Sequence, residues 1–293
     1  MKYQQRIVAF IDILGFKGIL DDTVNKNGDD DEKKINEVVE AYEAIRDIWG
    51  LDKKSELLDT SSSRSKKVTI FSDSIVISFQ IDEPSEVFYT LLELKWLIMR
   101  MLWHGILCRG AVAIGKFIHK DEYLFGPALV EAYLLESKAA LYPRIILDRS
   151  VIDAGSKNSA VHHTSKMERE YVESLLEQDS DGMYYIDYFF KAQSELDDPE
   201  YDFPAYINNL GNIIRKGLMA SSHPSKADLR IKYSWMRERY NRMVTIVTKK
   251  DNIEYFKQQG ELELAEFYSE LKQISPNKNI TRRSSGRAKG ARR

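Results

Sequence analysis

The spacing of apolar residues along the chain changes period several times, and each change predicts an element. Residues 6–13 (RIVAFIDI) form a nearly continuous apolar run with β-branched members, the pattern of a central strand buried on both faces. Gly15 breaks this run, and residues 16–20 are expected to turn into a short helix. Residues 25–34 are polar and acidic and read as a surface loop. Apolar or amphipathic residues at Ile35, Val38, Val39, Tyr42, Ile45 and Trp49 predict a helix over 35–49. After a Ser-rich loop at 60–65, the segment VTIFSDSIVISF reads as two β-rich arms hinged at Ser72, Asp73 and Ser74, a hairpin with an acidic tip. Pro84, Ser85 and Glu86 open a helix that runs through Trp103 and ends at Gly105. Its Trp96, Met99, Met101 and Trp103 are expected to fill core space. Residues 106–117 predict a strand, 119–122 a polar turn, 127–141 a helix and 143–148 another strand.

The resulting order, β-α-β-β-α-β-α-β, predicts an α/β (α+β) fold with a ferredoxin-like core. Three regions are expected. Residues 1–155 form the sheet-bearing catalytic domain, 156–275 a mostly helical extension, and 276–293 a disordered tail. Within the extension a short strand is possible at 183–189, and the clearest helices run over 205–218, 226–247 and 253–274. No internal repeat is visible.

Composition adds a little. With 43% hydrophobic and 30% charged residues the chain is ordinary for a globular protein. Its net charge of −2 gives no sign of a nucleic-acid-binding balance, but residues 276–293 hold seven basic side chains and no acid. That tail reads as a flexible solubilising segment, and no nucleic-acid partner is expected. Cys108 is the only cysteine, which rules out an internal disulfide or a zinc cluster. The N-terminal apolar run is too short for a signal peptide. The helix near residues 88–103 is interrupted by Glu93, Lys95 and Arg100, against a membrane span. The cytoplasm is the expected location.

Two aspartates carry the candidate chemistry. Asp12 ends an otherwise apolar strand, and Asp73 sits at the tip of a hairpin with apolar arms. A sheet can bring both to one edge. A paired, partly desolvated carboxylate site is costly unless a cation neutralises it. Oxygen ligands suit Mg²⁺ or Mn²⁺ and leave room for phosphates. The five histidines lack metal-ligand spacing and are expected at the surface.

The segment Phe10-Ile11-Asp12-Ile13-Leu14-Gly15-Phe16 resembles the first metal motif of class III adenylate and guanylate cyclases. Phe71-Ser72-Asp73 is similar to the second, with Ser where Gly is usual. Arg109 to Gly115 resembles the family's later strand, and Gly126 through Leu135-Glu136 its last helix. The resemblance covers about residues 6–150. It implies that Asp12, Asp73 and the Ile13 carbonyl hold two divalent cations, Mn²⁺ preferred and Mg²⁺ possible. Backbone amides near Gly15 and Phe16, at a helix start, are expected to cradle a triphosphate, and Phe10 is a further candidate nucleotide contact. The family's purine-reading Lys and Asp fall on Thr69 and Tyr123, and its helix Asn and Arg on Val130 and Leu134. Arg109, with Lys116 or Lys17, is then left to meet the α-phosphate.

This set of losses, with both metal aspartates kept, resembles the pyrimidine cyclases of bacterial Pycsar anti-phage systems. Arg109-Gly110, the stretch 126–132 and Tyr142-Pro143-Arg144-Ile145 also fit that branch. The likeness implies a uridylate cyclase that makes cyclic UMP from UTP, a homodimer with composite sites, and a separate effector that senses the product. Cyclic CMP from CTP, a purine cyclase with unusual base contacts, a degenerate fold that binds without turnover, and an interaction protein acting through the helical half remain the alternatives.

Overall fold

The structure, a computed structural model, describes residues 2–51 and 65–276. The Ser-rich segment up to residue 64 and the basic tail from residue 277 lie outside the described residues. The chain forms two compact units, Met1–Glu195 and Leu196–Arg293. The first carries the sheet, so the expected boundary at 155 falls inside it.

In chain order the first unit contains β1 (Gln4–Leu14), α1 (Phe16–Asp21), α2 (Glu32–Ile48), β2 (Lys67–Phe71), β3 (Ser74–Gln80), α3 (Glu86–Trp103), β4 (Leu107–His119), β5 (Leu124–Phe125), α4 (Pro127–Lys138), β6 (Ile145–Leu147), α5 (Arg149–Lys157), α6 (Ser165–Ser174), β7 (Leu176–Gln178) and β8 (Tyr184–Ile186). The strands lie in the order β2-β3-β1-β4-β6-β8-β7, with β5 paired to β4. Strands β2, β3, β1 and β4 each run antiparallel to their neighbours, the ferredoxin-like arrangement, and β6 joins β4 in parallel. Strands β8 and β7 then extend the sheet beyond β6. Strand β8 lies inside the short strand expected over 183–189, while β7, at three residues, is too short to show an alternating pattern in the sequence.

Alternation divides the central strands cleanly. Ile7, Ala9, Ile11 and Ile13 of β1 face one side, in register with Phe79, Ile77 and Ile75 of β3, and all are buried. Helix α3 packs near β4 on this side, and Ala41, Tyr42 and Ile45 of α2 close on Ile13 and Phe16. On the other side Val8, Val76, Phe117 and Ala128 make a smaller core under α4, with Phe10 half-buried beside it. Gly115 lets α4 approach, since an added Cβ would stand 3.3 Å from that of Ala128.

Helix α3 reverses one expectation. Met99 and Met101 are buried, but Trp96 and Trp103 are exposed, while Lys95 is fully enclosed. Lys95 Nζ reaches Glu195 at 3.1 Å and the Lys191 carbonyl. The helix is apolar around most of its circumference, so periodicity could not tell the solvent stripe from the core stripe.

The second unit contains α7 (Asp202–Ala220), α8 (Ala227–Val247), α9 (Lys250–Gln259) and α10 (Leu262–Glu270). Gly211 and Gly217 of α7 lie against Tyr240 and Tyr233 of α8, so closely that a Cβ would clash at 2.8 and 2.2 Å. The single helix expected over 253–274 is two, because Gly260 adopts φ 83° between them and caps α9. Phe256 and Tyr268 stack across that turn at 5.3 Å.

Candidate active site

Strand β1 ends in a left-handed Gly15 (φ 76°), which turns the chain into α1. Just before that turn, Asp12 stands in register with Ser74 of β3 and Arg109 of β4. The backbone N–H of Ile13 donates to the Asp73 carbonyl at 2.9 Å, which seats the hairpin tip against the Asp12–Ile13 peptide. Asp12 and Asp73 are therefore brought to one end of the sheet, both half-buried. Ser72 takes φ 52° at the first central position of the two-residue turn, where glycine is normally required. Tyr42 of α2 donates its hydroxyl to the Ser72 carbonyl at 2.5 Å and sets its ring edge-on to Phe16 at 6.3 Å. Burial, and then the Asp73 charge, raise the Tyr42 phenol above its ordinary range.

Arg109 faces the same side. Its guanidinium lies 3.7 Å from Asp12 and forms an ion pair with Glu136 of α4, which is itself buried. In the sequence Glu136 stands only as the end of the helix that resembles the family's last one, and its pairing with Arg109 was not foreseen. Phe10 sits one pleat further along this face, edge-on to Tyr133 at 5.6 Å. Gly15 is exposed, whereas the Phe16 ring is buried under α2, so that of Phe16 only the backbone can meet a ligand.

Thr69 lies on the edge strand β2, on the Asp12 face. Its Oγ1 is 2.8 Å from Nε2 of His119, whose Nδ1 is 2.8 Å from Ser78 Oγ. His119 is buried, not at the surface as expected. Burial first, then the charges of Arg6 and Lys67, push it down to about 4. Lys67 bridges to Asp121 at 2.7 Å, and the Lys120 N–H donates to the Tyr123 carbonyl at 2.9 Å, so the turn bearing Tyr123 is tied to β2. The Tyr123 ring is exposed, 6.0 Å from Phe125.

Lys116 is not brought to this constellation. It pairs with Gln5, and the two-residue repeat of β4 puts it on the face opposite Arg109. Val130 and Leu134 are on α4 and exposed. Buried Cys108 has its thiol pushed up to about 12, by burial and then by Asp12, and is chemically quiet.

Among the described residues no cluster of three or more His, Cys, Asp or Glu side chains stands ready for a metal. The two carboxylates and the main-chain oxygen of Ile13 still fit a hard divalent cation that completes its shell with water and phosphate. The nearby Arg109 already neutralises part of the Asp12 charge. No helix among the described residues is long and apolar enough to cross a membrane.

No protein-family model matches the chain, and no curated protein matches it. Similar solved structures include a bacterial light-regulated adenylyl cyclase, with 16% identity over 52% of this chain and 79% of that chain, at a TM-score of 0.35. The monomeric guanylyl cyclase domain of the RhoGC fusion protein from the aquatic fungus Blastocladiella emersonii matches with 14% identity over 64% of this chain and 96% of that one, at a TM-score of 0.37. The catalytic core of a rhodopsin-guanylyl cyclase with converted specificity, in complex with ATPαS, matches with 16% identity, the same coverage and a TM-score of 0.36.

Proposed function

We propose that this chain is a nucleotidyl cyclase that converts UTP to 3′,5′-cyclic UMP and pyrophosphate. The observation that supports it most is the Ile13–Asp73 backbone bond, which ties the main chain of the two aspartate-bearing segments together at one sheet end beside a glycine turn. In this reaction the ribose 3′-oxygen bonds to the α-phosphorus and the α–β bridging bond breaks. Pyrophosphate leaves, and the 3′-hydroxyl proton passes to solvent. Asp12, Asp73 and the Ile13 carbonyl would hold two divalent cations, Mn²⁺ in preference to Mg²⁺. When bound, these supply Lewis-acid activation and neutralise the triphosphate.

The protein's own groups have separate tasks. Glu136 positions Arg109, whose guanidinium offers positive charge toward the α-phosphate. The backbone at Gly15 and Phe16 receives the remaining phosphates, and Thr69 and Tyr123 meet the base. Exposed Val130, Tyr133 and Leu134 on α4 and Phe125 on β5 favour a homodimer with composite sites. Following the Pycsar likeness, the product would act as a second messenger read by a separate effector in anti-phage defence.

A second reading, a nucleotide binder without turnover, draws support from Arg109 being held by two carboxylates and from the apolar Val130 and Leu134. Incubating the purified chain with Mn²⁺ and each of the four ribonucleoside triphosphates, with products identified by mass spectrometry, separates these readings. Cyclic UMP and pyrophosphate are expected. Cyclic CMP as the main product would replace the substrate, and no cyclic product from any nucleotide would leave only the binder.

A further inference from the structure

At the opposite end of the Asp12 face a chain of hydrogen bonds runs through groups whose polarity is fixed. Arg6 is buried, and its Nε donates to Ser78 Oγ at 3.0 Å. An arginine has no acceptor, so this direction cannot reverse. The Ser78 hydroxyl is fully buried and its own proton needs an acceptor; His119 Nδ1, at 2.8 Å, is the one in reach. His119 is neutral near pH 7, so with Nδ1 accepting, its single proton lies on Nε2 and is donated to Thr69 Oγ1. Thr69 thus already accepts a bond, and its hydroxyl proton has no acceptor among the described residues. Thr69 is half-buried on the edge strand, so that proton is left to be donated to solvent or to a ligand.

We infer that the Arg6–Ser78–His119 chain makes Thr69 a hydrogen-bond donor, and that this donor selects a base with a carbonyl at the edge it meets, uracil over cytosine. The inference rests on the nucleotide reading above and deepens it by naming the residue that tells the two pyrimidines apart. Uracil offers O4 as an acceptor, whereas cytosine offers an amino donor at the same place. Against cytosine the Thr69 proton would meet another donor and have to rotate away, leaving only the second lone pair of Oγ1 to accept, so the bond donated to uracil is the one lost. His119 acts through Thr69 and is a positioning residue.

The test uses the full chain, its Thr69→Val and Thr69→Ser variants, and two readouts. The first is the UTP-to-CTP preference, measured as binding in the presence of Ca²⁺ and as kcat/KM for cyclisation with Mn²⁺. Wild type should prefer UTP by about 10-fold or more. Thr69→Val should bring that ratio close to unity through weaker UTP binding, and Thr69→Ser should keep it. The second is nitrogen-15 NMR of histidine-labelled protein, which should place the His119 proton on Nε2. A ratio unchanged in Thr69→Val, a wild type without UTP preference, or a proton on Nδ1 would overturn the inference. If no cyclic product forms but the binding ratio responds to Thr69→Val, turnover is wrong and the donor stands. If cyclisation proceeds with the ratio unmoved, the donor is wrong and the cyclase stands.

Discussion

Ile11 and Asp12 are neighbours on β1, yet Ile11 is wholly enclosed while the Asp12 side chain remains 24% exposed. The pleat sends them to opposite faces of one sheet, and the two faces differ in kind. The Ile11 face is a buried, mostly apolar layer shared by β1, β3 and β4. The Asp12 face carries Arg6, Asp12, Thr69, Ser74, Ser78, Arg109 and His119 around a smaller apolar patch under α4. Residues on the first are held by packing and those on the second by polar partners. Substitutions on one should therefore cost stability, and on the other, chemistry.

The widest separation is expected from the aspartates. Asp12→Ala and Asp73→Ala should each lower cyclisation by at least about 10²–10³-fold, as when a preorganised charge-stabilising group is removed. Circular-dichroism melts should stay near those of wild type. A variant that turns over at the wild-type rate would remove its residue from the reaction and overturn the paired-carboxylate site. On the opposite face Ile11→Ala should destabilise the fold by about 2–5 kcal/mol in denaturant titrations, since a filled layer is left with a cavity.

A smaller contrast is set by pH. His119 is depressed to about 4 in the fold, so the unfolded chain binds its proton first as pH falls. Its contribution is complete above about pH 6.5 and is lost as pH drops toward 4, an effect of about 3 kcal/mol. The stability difference between wild type and His119→Gln, followed from pH 7.5 to 4, should show that slope. A difference independent of pH would mean that His119 titrates normally. The smallest effect is expected at the hairpin tip. Ser72→Gly relieves a non-glycine residue at positive φ and should raise stability by about 1 kcal/mol in thermal melts, with Asp73 still in place.

Much of the Asp12 end was legible in the sequence. A strand, a glycine turn and a two-residue hairpin are local patterns, and each carried its aspartate to a predictable terminus. Partners that meet only in the folded sheet were not legible. Tyr42 reads as one more amphipathic helix position, and its bond to Ser72 spans 30 residues. His119 looked like part of a polar turn, but β4 runs to it, and the alternation that buries Phe117 buries His119 as well. Applying the same count to Lys116 would have put it on the face opposite Arg109. Strand β8 falls within the short strand expected over 183–189, whereas the edge strand β7 was missed, being too short for any periodicity to show.

Gly126 has a reach that its position conceals. It opens α4 at φ 152°, and a Cβ there would press on the Lys116 carbonyl at 2.5 Å and on the Phe117 Cα at 2.8 Å. Both are strand backbone and cannot yield, so the helix would have to tilt. Glu136 lies ten residues along the same rod, roughly 15 Å away at the usual helical rise. A single methyl group at the near end would thus lever the far end off Arg109 and unbalance the charge beside Asp12 without touching either residue.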